Sequence, residues 1–164
     1  MFGRILLPTD FSGCSQAAAG TARRLAERFG SRILLLHVLD EWTAVDPMFR
    51  GEIPLESVRA RMEQFARENM DAFLALLLSG FENIDTMLVT GIPYREILRA
   101  AREFPADLIV IGTHGRTGVE HVLFGSTAEK VVRLAPCPVL TVRHAAGGSA
   151  PADEDHPDKG GIGS

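Results

Sequence analysis

Cysteine and long apolar runs are both scarce in this chain of 164 residues, and each shortage excludes a class of protein. Only Cys14 and Cys137 occur, so a disulfide framework is not needed and a reducing compartment is favoured. No signal-peptide pattern is present, which together with the cysteine usage predicts a cytoplasmic protein. The longest uncharged stretches, such as residues 72–81, fall well short of the ~18 residues of a membrane helix, so no membrane partner is expected.

Positive charge is scarce as well. The chain has 17 Lys and Arg against 21 Asp and Glu, which gives a net charge of −4 and a pI of about 5.7. Nucleic acids and anionic membrane surfaces bind clustered Lys and Arg, so the sequence predicts neither as the main partner. A polyphosphate ligand would therefore have to be held by local backbone dipoles.

Several catalytic and cofactor motifs are missing. The sequence contains no G-x-x-x-x-G-K-[ST], no G-x-S-x-G, no C-x-x-C and no H-E-x-x-H. These absences exclude a P-loop NTPase, an α/β-hydrolase and an evident zinc site. Asp10, Phe11 and Ser12 follow the first predicted strand, where a dinucleotide site would have G-x-G-x-x-G. No residue is assigned a catalytic role, and enzymatic activity is left open.

Five short apolar runs alternate with four helical patterns, which is the arrangement of an α/β domain. Strands are predicted at residues 4–8, 32–38, 83–90, 107–111 and 138–142, and helices at 12–29, at 55–77, from 93 and at 126–134. Such alternation implies right-handed crossovers, and hence one doubly wound parallel sheet with helices on both faces. The domain is predicted to span residues 1–144, because residues 145–164 are rich in Gly, Ala, Pro and Asp and are expected to form a disordered tail.

Helix ends and faces can also be predicted. Gly30 supplies a left-handed stop after the first helix, and Pro93 suits the first turn of the third. The second helix carries one apolar stripe that is predicted to pack on the sheet. Its members are Leu55, Val58, Met62, Phe65, Met70, Phe73 and Leu77.

Three glycines and a hydroxyl near the end of the domain have the spacing of a phosphate cradle. Gly112 and Gly115 follow an apolar run, and after nine more residues Gly125 and Ser126 lead into a helix. Glycine permits close approach of the backbone to a ligand, and the N–H groups at a helix start attract anions, so this segment predicts a nucleotide site. Two alternatives stay open: the glycines form plain turns, or Ser126 caps its own helix in an S-x-x-E box that ends at Glu129.

A second polar position follows the first strand. Asp10 comes directly after Pro8 and Thr9, and its carboxylate could accept hydrogen bonds from ribose hydroxyls. The alternative is that Asp10 is the N-cap of the first helix, with Pro8 as a strand end and Thr9 as a turn hydroxyl. If strands one and four are neighbours, as in a 3-2-1-4-5 order, Asp10 and Gly112 meet at one crevice, where doubly wound sheets bind ligands.

These residues resemble the universal stress protein family. The specific part is the pattern G-x-x-G, nine residues, G-[ST], which Gly112, Gly115, Gly125 and Ser126 match without gaps. Supporting segments are ILLPTDFS at residues 5–12, HV at 37–38, DLIVIGTHG at 107–115 and PCPVL at 136–140. The resemblance runs from about residue 4 to residue 143 and implies the branch of the family that binds ATP.

The resemblance implies a Rossmann-like five-stranded sheet of order 3-2-1-4-5 with ATP bound at the crevice. Transferred residue by residue, it puts Pro8, Thr9 and Val38 at the adenine, and Asp10 and Gly112 at the ribose. The phosphates would contact Gly115, Gly125, Ser126 and Thr127, with Ile111 beside them. Mg²⁺ commonly accompanies the triphosphate and would be held mainly by its oxygens, so no protein residue is assigned as a metal ligand.

The resemblance also implies a homodimer formed by the last strand. Residues 138–142 agree with this, because they form an apolar edge without Lys, which is open to pairing with a second chain. The leading hypothesis is a regulatory stress-response protein whose nucleotide state biases binding of an unknown protein partner, with slow hydrolysis at most. One alternative is an ATPase or phosphotransferase that uses His114 or Asp10. Another is a dimeric interaction module that binds AMP or a cyclic nucleotide.

Overall fold

Strands and helices alternate throughout the part of the chain that this computed structural model describes, which is residues 2–40, 55–114 and 124–144. The strands are β1 (Arg4–Thr9), β2 (Arg32–Asp40), β3 (Ile84–Gly91), β4 (Leu108–Gly112) and β5 (Val139–Val142). The helices are α1 (Gly13–Phe29), α2 (Leu55–Leu77), α3 (Pro93–Glu103) and α4 (Ser126–Leu134). None of the described helices has the length and apolar character that a membrane crossing requires. The predicted tail at 145–164 lies outside the described residues.

The five strands form one sheet in the order β3-β2-β1-β4-β5, and every neighbouring pair is parallel. This confirms the predicted doubly wound α/β fold and its 3-2-1-4-5 order. The predicted strand boundaries differ from the observed ones by one or two residues. For example, β1 includes Thr9, and β2 continues to Asp40. The order makes β1 the centre of the sheet, with β2 on one side and β4 on the other.

Successive side chains point to opposite faces of the sheet, as strand geometry requires. Leu7 and Val110 are fully buried on the face covered by α1 and α2, and Leu6 and Ile109 are fully buried on the face covered by α3 and α4. Each such side chain stabilises the fold by roughly 1.5–3 kcal/mol. Because both faces are covered, the central strands appear in the sequence as continuous apolar runs instead of alternating ones.

Helix α1 begins and ends where the sequence predicts. Ser12 is its N-cap, and the Ser12 side chain accepts a hydrogen bond from the Ser15 N–H. Gly30 adopts the left-handed conformation with φ of 66°, and its N–H donates to the carbonyl of Ala26. The face of α1 that meets the sheet consists of small buried residues, which are Ala18, Ala19, Ala22 and Ala26. The helix can therefore lie close to the strands.

Helix α2 meets the sheet with the predicted face, except at one position. Met70 and Phe73 are buried as predicted, but Phe65 is 62% exposed, and its neighbour Ala66 is buried instead. The prediction for Phe65 was wrong because the stripe required a five-residue step from Phe65 to Met70. Such a step turns a helix by about 140° away from the same face. Steps of four and three residues connect Ala66, Met70 and Phe73 on one side.

The packing of α1 against β4 depends on Gly112. A Cβ atom at this position would lie 2.8 Å from both the carbonyl carbon and the Cβ of Cys14, and 3.0 Å from the Cys14 carbonyl oxygen. Two of these are backbone atoms of α1, which cannot rotate away as the end of a side chain could. Glycine is therefore required here by helix–strand packing, whatever ligand contact its backbone also makes.

We expect Gly112→Ala to destabilise the fold by about 1–3 kcal/mol, because the added methyl group overpacks the contact between α1 and β4. Gly20→Ala is the matched control: a Cβ there would meet only the end of the Arg24 side chain, at 3.7 Å, and alanine is favoured over glycine within a helix. Urea unfolding followed by circular dichroism should show a lower midpoint for Gly112→Ala and an equal or higher midpoint for Gly20→Ala. An unchanged midpoint for Gly112→Ala would contradict the packing requirement.

Candidate functional site

A cavity of about 370 Å³ opens at the carboxyl ends of β1, β2 and β4, between α2 and the first turns of α3 and α4. Nine of the ten predicted site residues line it: Pro8, Thr9, Asp10, Val38, Ile111, Gly112, Gly125, Ser126 and Thr127. The tenth, Gly115, lies outside the described residues. The fold thus brings the two predicted halves of the site, one after β1 and one after β4, to a single cavity.

One side of the cavity is an apolar slot. Leu36 and Ile111 belong to the buried cluster beneath α3 and α4, and Val38 packs against that cluster. Pro8 is the register partner of Leu36, so it lies on the same face of the sheet. Ile97 of α3 completes this wall. A slot built from these side chains fits a flat, largely apolar group.

The turn between β1 and α1 has a strained backbone conformation that side-chain contacts stabilise. Phe11 has a positive φ of 66°, which is rare for a residue with a large side chain. Its N–H donates to Thr9 Oγ1 at 3.0 Å, and its ring lies 4.4 Å from the ring of His37 and 5.8 Å from that of Phe73. The His37 ring is itself held by its Nδ1, which is 2.7 Å from the Thr9 carbonyl oxygen. These contacts hold the turn in the conformation that orients Asp10.

The carboxylate of Asp10 is tied to the start of α1. Its Oδ1 accepts hydrogen bonds from the Ser12 N–H at 3.1 Å, from the Ser12 hydroxyl at 2.6 Å and from the Ser15 hydroxyl at 2.5 Å. The N-cap of α1 is Ser12, so the alternative that Asp10 is the cap is wrong. Asp10 instead lies two residues before the cap and lines the cavity.

The start of α4 lacks a capping side chain. Gly125 is the N-cap, its carbonyl accepts from the Glu129 N–H at 3.0 Å, and as a glycine it has no side chain to bond the first turn. The proposed capping box is therefore wrong, because Ser126 is the first helical residue and not the cap. The Gly125 N–H donates to the Thr113 carbonyl at 2.7 Å, which fixes the helix start beside the end of β4. The N–H groups of this first turn can therefore attract an anion.

Fixed positive charge is absent from the described residues that line the cavity. They include the carboxylates of Asp10 and Asp40 but no Lys or Arg. One turn further along α4, Lys130 lies over the ring of Tyr94, with its Nζ 4.8 Å from the ring centroid. The hydrogen bond from Arg95 Nε lowers the pKa of Tyr94, burial opposes this shift, and the charges of Arg95 and Lys130 add to the lowering. Helix and backbone dipoles are thus the main attraction that the described wall offers to an anion.

Sequence reasoning missed several residues that shape this cavity. Phe11, Ser12 and His37 belong to segments that match the family. Their roles depend on the positive φ of Phe11, which the residue pattern does not predict. Ser15 is buried at 4% exposure and looks like an ordinary helix serine in the sequence. Phe65 was assigned to the core, and the structure places it on the cavity wall.

The described residues were also compared with the arrangements that hold a metal ion. Among residues 2–40, 55–114 and 124–144, no group of three or more His, Cys, Asp or Glu side chains is arranged to hold a metal ion.

The profile of the universal stress protein family matches residues 1–143. The chain belongs to the universal stress protein family. The match covers all nine described site residues and the whole sheet. It therefore supports the resemblance that the glycine spacing and the ILLPTDFS segment indicated.

Relatives in this family match the chain over most of its length. A universal stress protein of Thermus aquaticus is 38% identical over 145 residues, which covers 87% of this chain and 100% of that protein. Universal stress protein MJ0531 of Methanocaldococcus jannaschii is 35% identical over 147 residues, covering 87% of this chain and 83% of that one. The solved structure of protein MJ0577 superimposes with a TM-score of 0.76 at 28% identity, covering 87% of this chain and 96% of that chain.

Two other solved universal stress proteins were determined with nucleotides. One is a complex with cAMP, at a TM-score of 0.61 and 23% identity, covering 88% of this chain and 98% of that one. The other, from Archaeoglobus fulgidus, is a complex with dAMP, at a TM-score of 0.61 and 19% identity, covering 87% and 98%. At these identities the likeness to the present chain is one of fold.

Ser126→Ala should leave the free energy of unfolding within about 0.5 kcal/mol of wild type, because the Ser126 hydroxyl does not cap α4 and alanine is a good helix former. Ser12→Ala is the matched contrast. It removes a side chain that does cap a helix, and we expect a loss of about 0.5–2 kcal/mol. Urea unfolding of both variants measures the difference. Equal losses would contradict the assignment of Gly125 as the cap of α4.

Proposed function

We propose that this universal stress protein binds ATP in the cavity and that the bound nucleotide biases its association with a protein partner. The observation that carries the proposal is the convergence of Asp10, the slot beside Val38 and the start of α4 on one cavity. That cavity lies at the carboxyl edge of a doubly wound sheet, where such folds bind ligands. The slot suits the flat base of a nucleotide, the Asp10 carboxylate suits a sugar with hydroxyl donors, and the start of α4 suits a polyanion.

We assign the adenine to the slot lined by Pro8 and Val38. The Thr9 hydroxyl accepts the Phe11 N–H, so its contribution is to shape the wall. Asp10 is assigned to the ribose. Gly112 would contact the ribose through its backbone, because Cys14 occupies the space where a side chain would lie.

We assign the phosphates to the first turn of α4. Gly125, Ser126 and Thr127 line the cavity there, and their N–H groups and hydroxyls would bond phosphate oxygens, with Ile111 alongside and Gly115 assigned from the sequence pattern. The dipole of α4 favours an anion at this end by roughly 0.3–1 kcal/mol.

Mg²⁺ would be held by the triphosphate itself. The described residues offer no metal cage, and the carboxylates of Asp10 and Asp40 make the wall negative. A divalent cation on the phosphates would reduce the repulsion between the ligand and these carboxylates. What the chain contributes is the anion-binding helix start that orients the phosphates.

We propose that hydrolysis is slow. Rapid phosphoryl transfer is driven by cations that stabilise the transition state and by a group that orients the nucleophile. The described wall has no Lys or Arg, and the Asp10 carboxylate is engaged by two serine hydroxyls. Turnover well above ~1 per second that is lost on His114→Ala would instead support the ATPase or phosphotransferase alternative.

Isothermal titration calorimetry with ATP and Mg²⁺ should show one site per chain. The double variant Ser126→Ala, Thr127→Val should bind ATP about tenfold more weakly, because it removes two hydroxyl donors from the phosphate site. Thr86→Val is the control, since Thr86 is an exposed residue of β3 outside the cavity. The same titrations should be made with AMP and cAMP. If either binds more tightly than ATP, the result would favour the alternative of a dimeric interaction module. Absence of binding by every adenine nucleotide would refute the proposal.

We also propose a twofold homodimer that pairs the β5 edges of two chains. β5 is the outer strand next to β4, and its second residue, Leu140, is 38% exposed. On the neighbouring α4, Val132 and Leu134 are 46% and 53% exposed. An apolar edge flanked by apolar side chains is suited to pairing with a second copy.

Leu140→Arg should shift the protein from dimer to monomer, because it puts a charge into the proposed edge contact. Leu76→Arg is the matched control, since Leu76 is 74% exposed on α2, away from β5. Size-exclusion chromatography with light scattering at tens of micromolar measures both. A monomeric wild-type protein, or the same effect from both substitutions, would refute the β5 dimer.

A further inference from the structure

We infer that Phe65 of α2 packs against the base of the bound nucleotide and so adds a base-binding residue to the cavity. This inference rests on the proposed function, because the base in question belongs to the nucleotide that the cavity is proposed to bind. The family pattern assigned no residue of α2 to the site, and the sequence predicted that Phe65 belongs to the core. The new role gives Phe65 a measurable effect on ATP affinity.

The first step is that the apolar face of α2 extends beyond the part of the helix that packs on the sheet. Met70 and Phe73 belong to the buried cluster beneath α1 and α2, and Ala66 is buried as well. One turn earlier, Met62 and Phe65 line the cavity together with Ala66. Steps of three and four residues from Met62 place these three side chains on one side of the helix. This part of α2 therefore forms a wall of the cavity.

The second step is the exposure of Phe65. Phe65 is 62% exposed, whereas Phe73, two turns further along the helix, is 5% exposed and has its ring 5.8 Å from that of Phe11. No ring contact within the described part of the chain involves Phe65. A large apolar side chain gains stability when it is removed from water, and exposed apolar surface in a cavity is typical of a ligand contact. Most of the Phe65 ring is therefore accessible to a ligand in the cavity.

The third step is the position of Phe65 relative to the apolar slot. The slot lies on the face of the sheet that α3 and α4 cover, and Phe65 belongs to α2, which covers the other face. At the carboxyl edge of the sheet, where the cavity opens, both walls line the same space. A flat group that rests one face on Val38 and Ile97 therefore turns its other face toward α2.

The fourth step is which part of a nucleotide matches a phenyl ring. The ribose is assigned to Asp10 and the phosphates to the start of α4, and both carry charged or hydrogen-bonding groups that a phenyl ring cannot satisfy. The base is the part with a flat face, and bases stack on aromatic side chains. The base is therefore the occupant that Phe65 suits. Because the Phe65 side chain has neither donor nor acceptor, it would strengthen binding without contacting the hydrogen-bonding edge of the base.

Isothermal titration calorimetry with ATP and Mg²⁺ tests this contact in wild type, Phe65→Ala, Phe65→Tyr and Leu76→Ala. Leu76 is the matched control, because it is an exposed apolar residue of the same helix that does not line the cavity. Phe65→Ala should bind ATP on the order of tenfold more weakly, as expected for loss of a base–aromatic stack. Phe65→Tyr, which keeps the ring, and Leu76→Ala should stay within about twofold of wild type.

Tryptophan fluorescence measures the contact itself. The chain has one tryptophan, Trp42, so Phe65→Trp and Leu76→Trp each add a second one to the same background. A base that stacks on an indole ring quenches its emission. Saturating ATP should therefore quench Phe65→Trp more strongly than wild type, whereas Leu76→Trp should change by the same amount as wild type.

Urea unfolding without nucleotide separates this contact from a structural role. Because Phe65 is mostly exposed, Phe65→Ala should keep the wild-type midpoint. A lower midpoint that accompanies the loss of affinity would indicate a structural role and overturn the inference. ATP affinity of Phe65→Ala within about twofold of wild type, or no added quenching in Phe65→Trp, would also overturn it while leaving ATP binding intact. Failure of wild type to bind ATP would overturn the proposed function as well.

Discussion

The close contact between α1 and the end of β4 determines the layout of the whole carboxyl edge of the sheet. Alanines on the inner face of α1 and the missing side chain at Gly112 let the helix lie close to the strands. The chain then has only three residues, 10–12, in which to leave β1 and enter α1. Phe11 takes a left-handed conformation in this short turn. Asp10 is thereby brought beside the strand from which the glycine segment departs.

The same edge explains how the site can attract a polyanion without fixed positive charge among its described lining residues. The carbonyl of Thr113 fixes the start of α4 through the Gly125 N–H, and the N-cap Gly125 has no side chain to bond the first turn of that helix. Dipoles of this kind are part of the backbone and need no reorganisation when a ligand arrives. They are also weaker than a lysine or arginine clamp, which is consistent with a protein that holds a nucleotide and seldom cleaves it.

The fold could be predicted from the sequence almost completely, because strand and helix periods are local properties of the chain. The stop at Gly30 and the start at Pro93 follow from such local signals, whereas the order of the strands was expected from the resemblance to the family. The errors concern residues whose burial or contacts depend on packing or on an unusual backbone conformation. Ala66 faces the sheet in place of Phe65 because helical geometry outweighs side-chain size. The serines that hold Asp10 could not be identified, because their contacts exist only once Phe11 adopts a positive φ.

The central place of β1 has a consequence for how the protein is made. β1 pairs with β2 from nearby in the chain, but its other partner, β4, begins at Leu108. During synthesis one edge of β1 therefore stays open until β4 has emerged, and such non-local parallel pairing forms slowly. An open apolar edge is prone to wrong association. Because the cavity combines residues from β1 with residues from α4, it is complete only after that edge is closed. A ligand bound there would stabilise the completely folded domain and not the incompletely folded chain. The concentration of that ligand in the cell would therefore influence how much of the newly made chain stays folded.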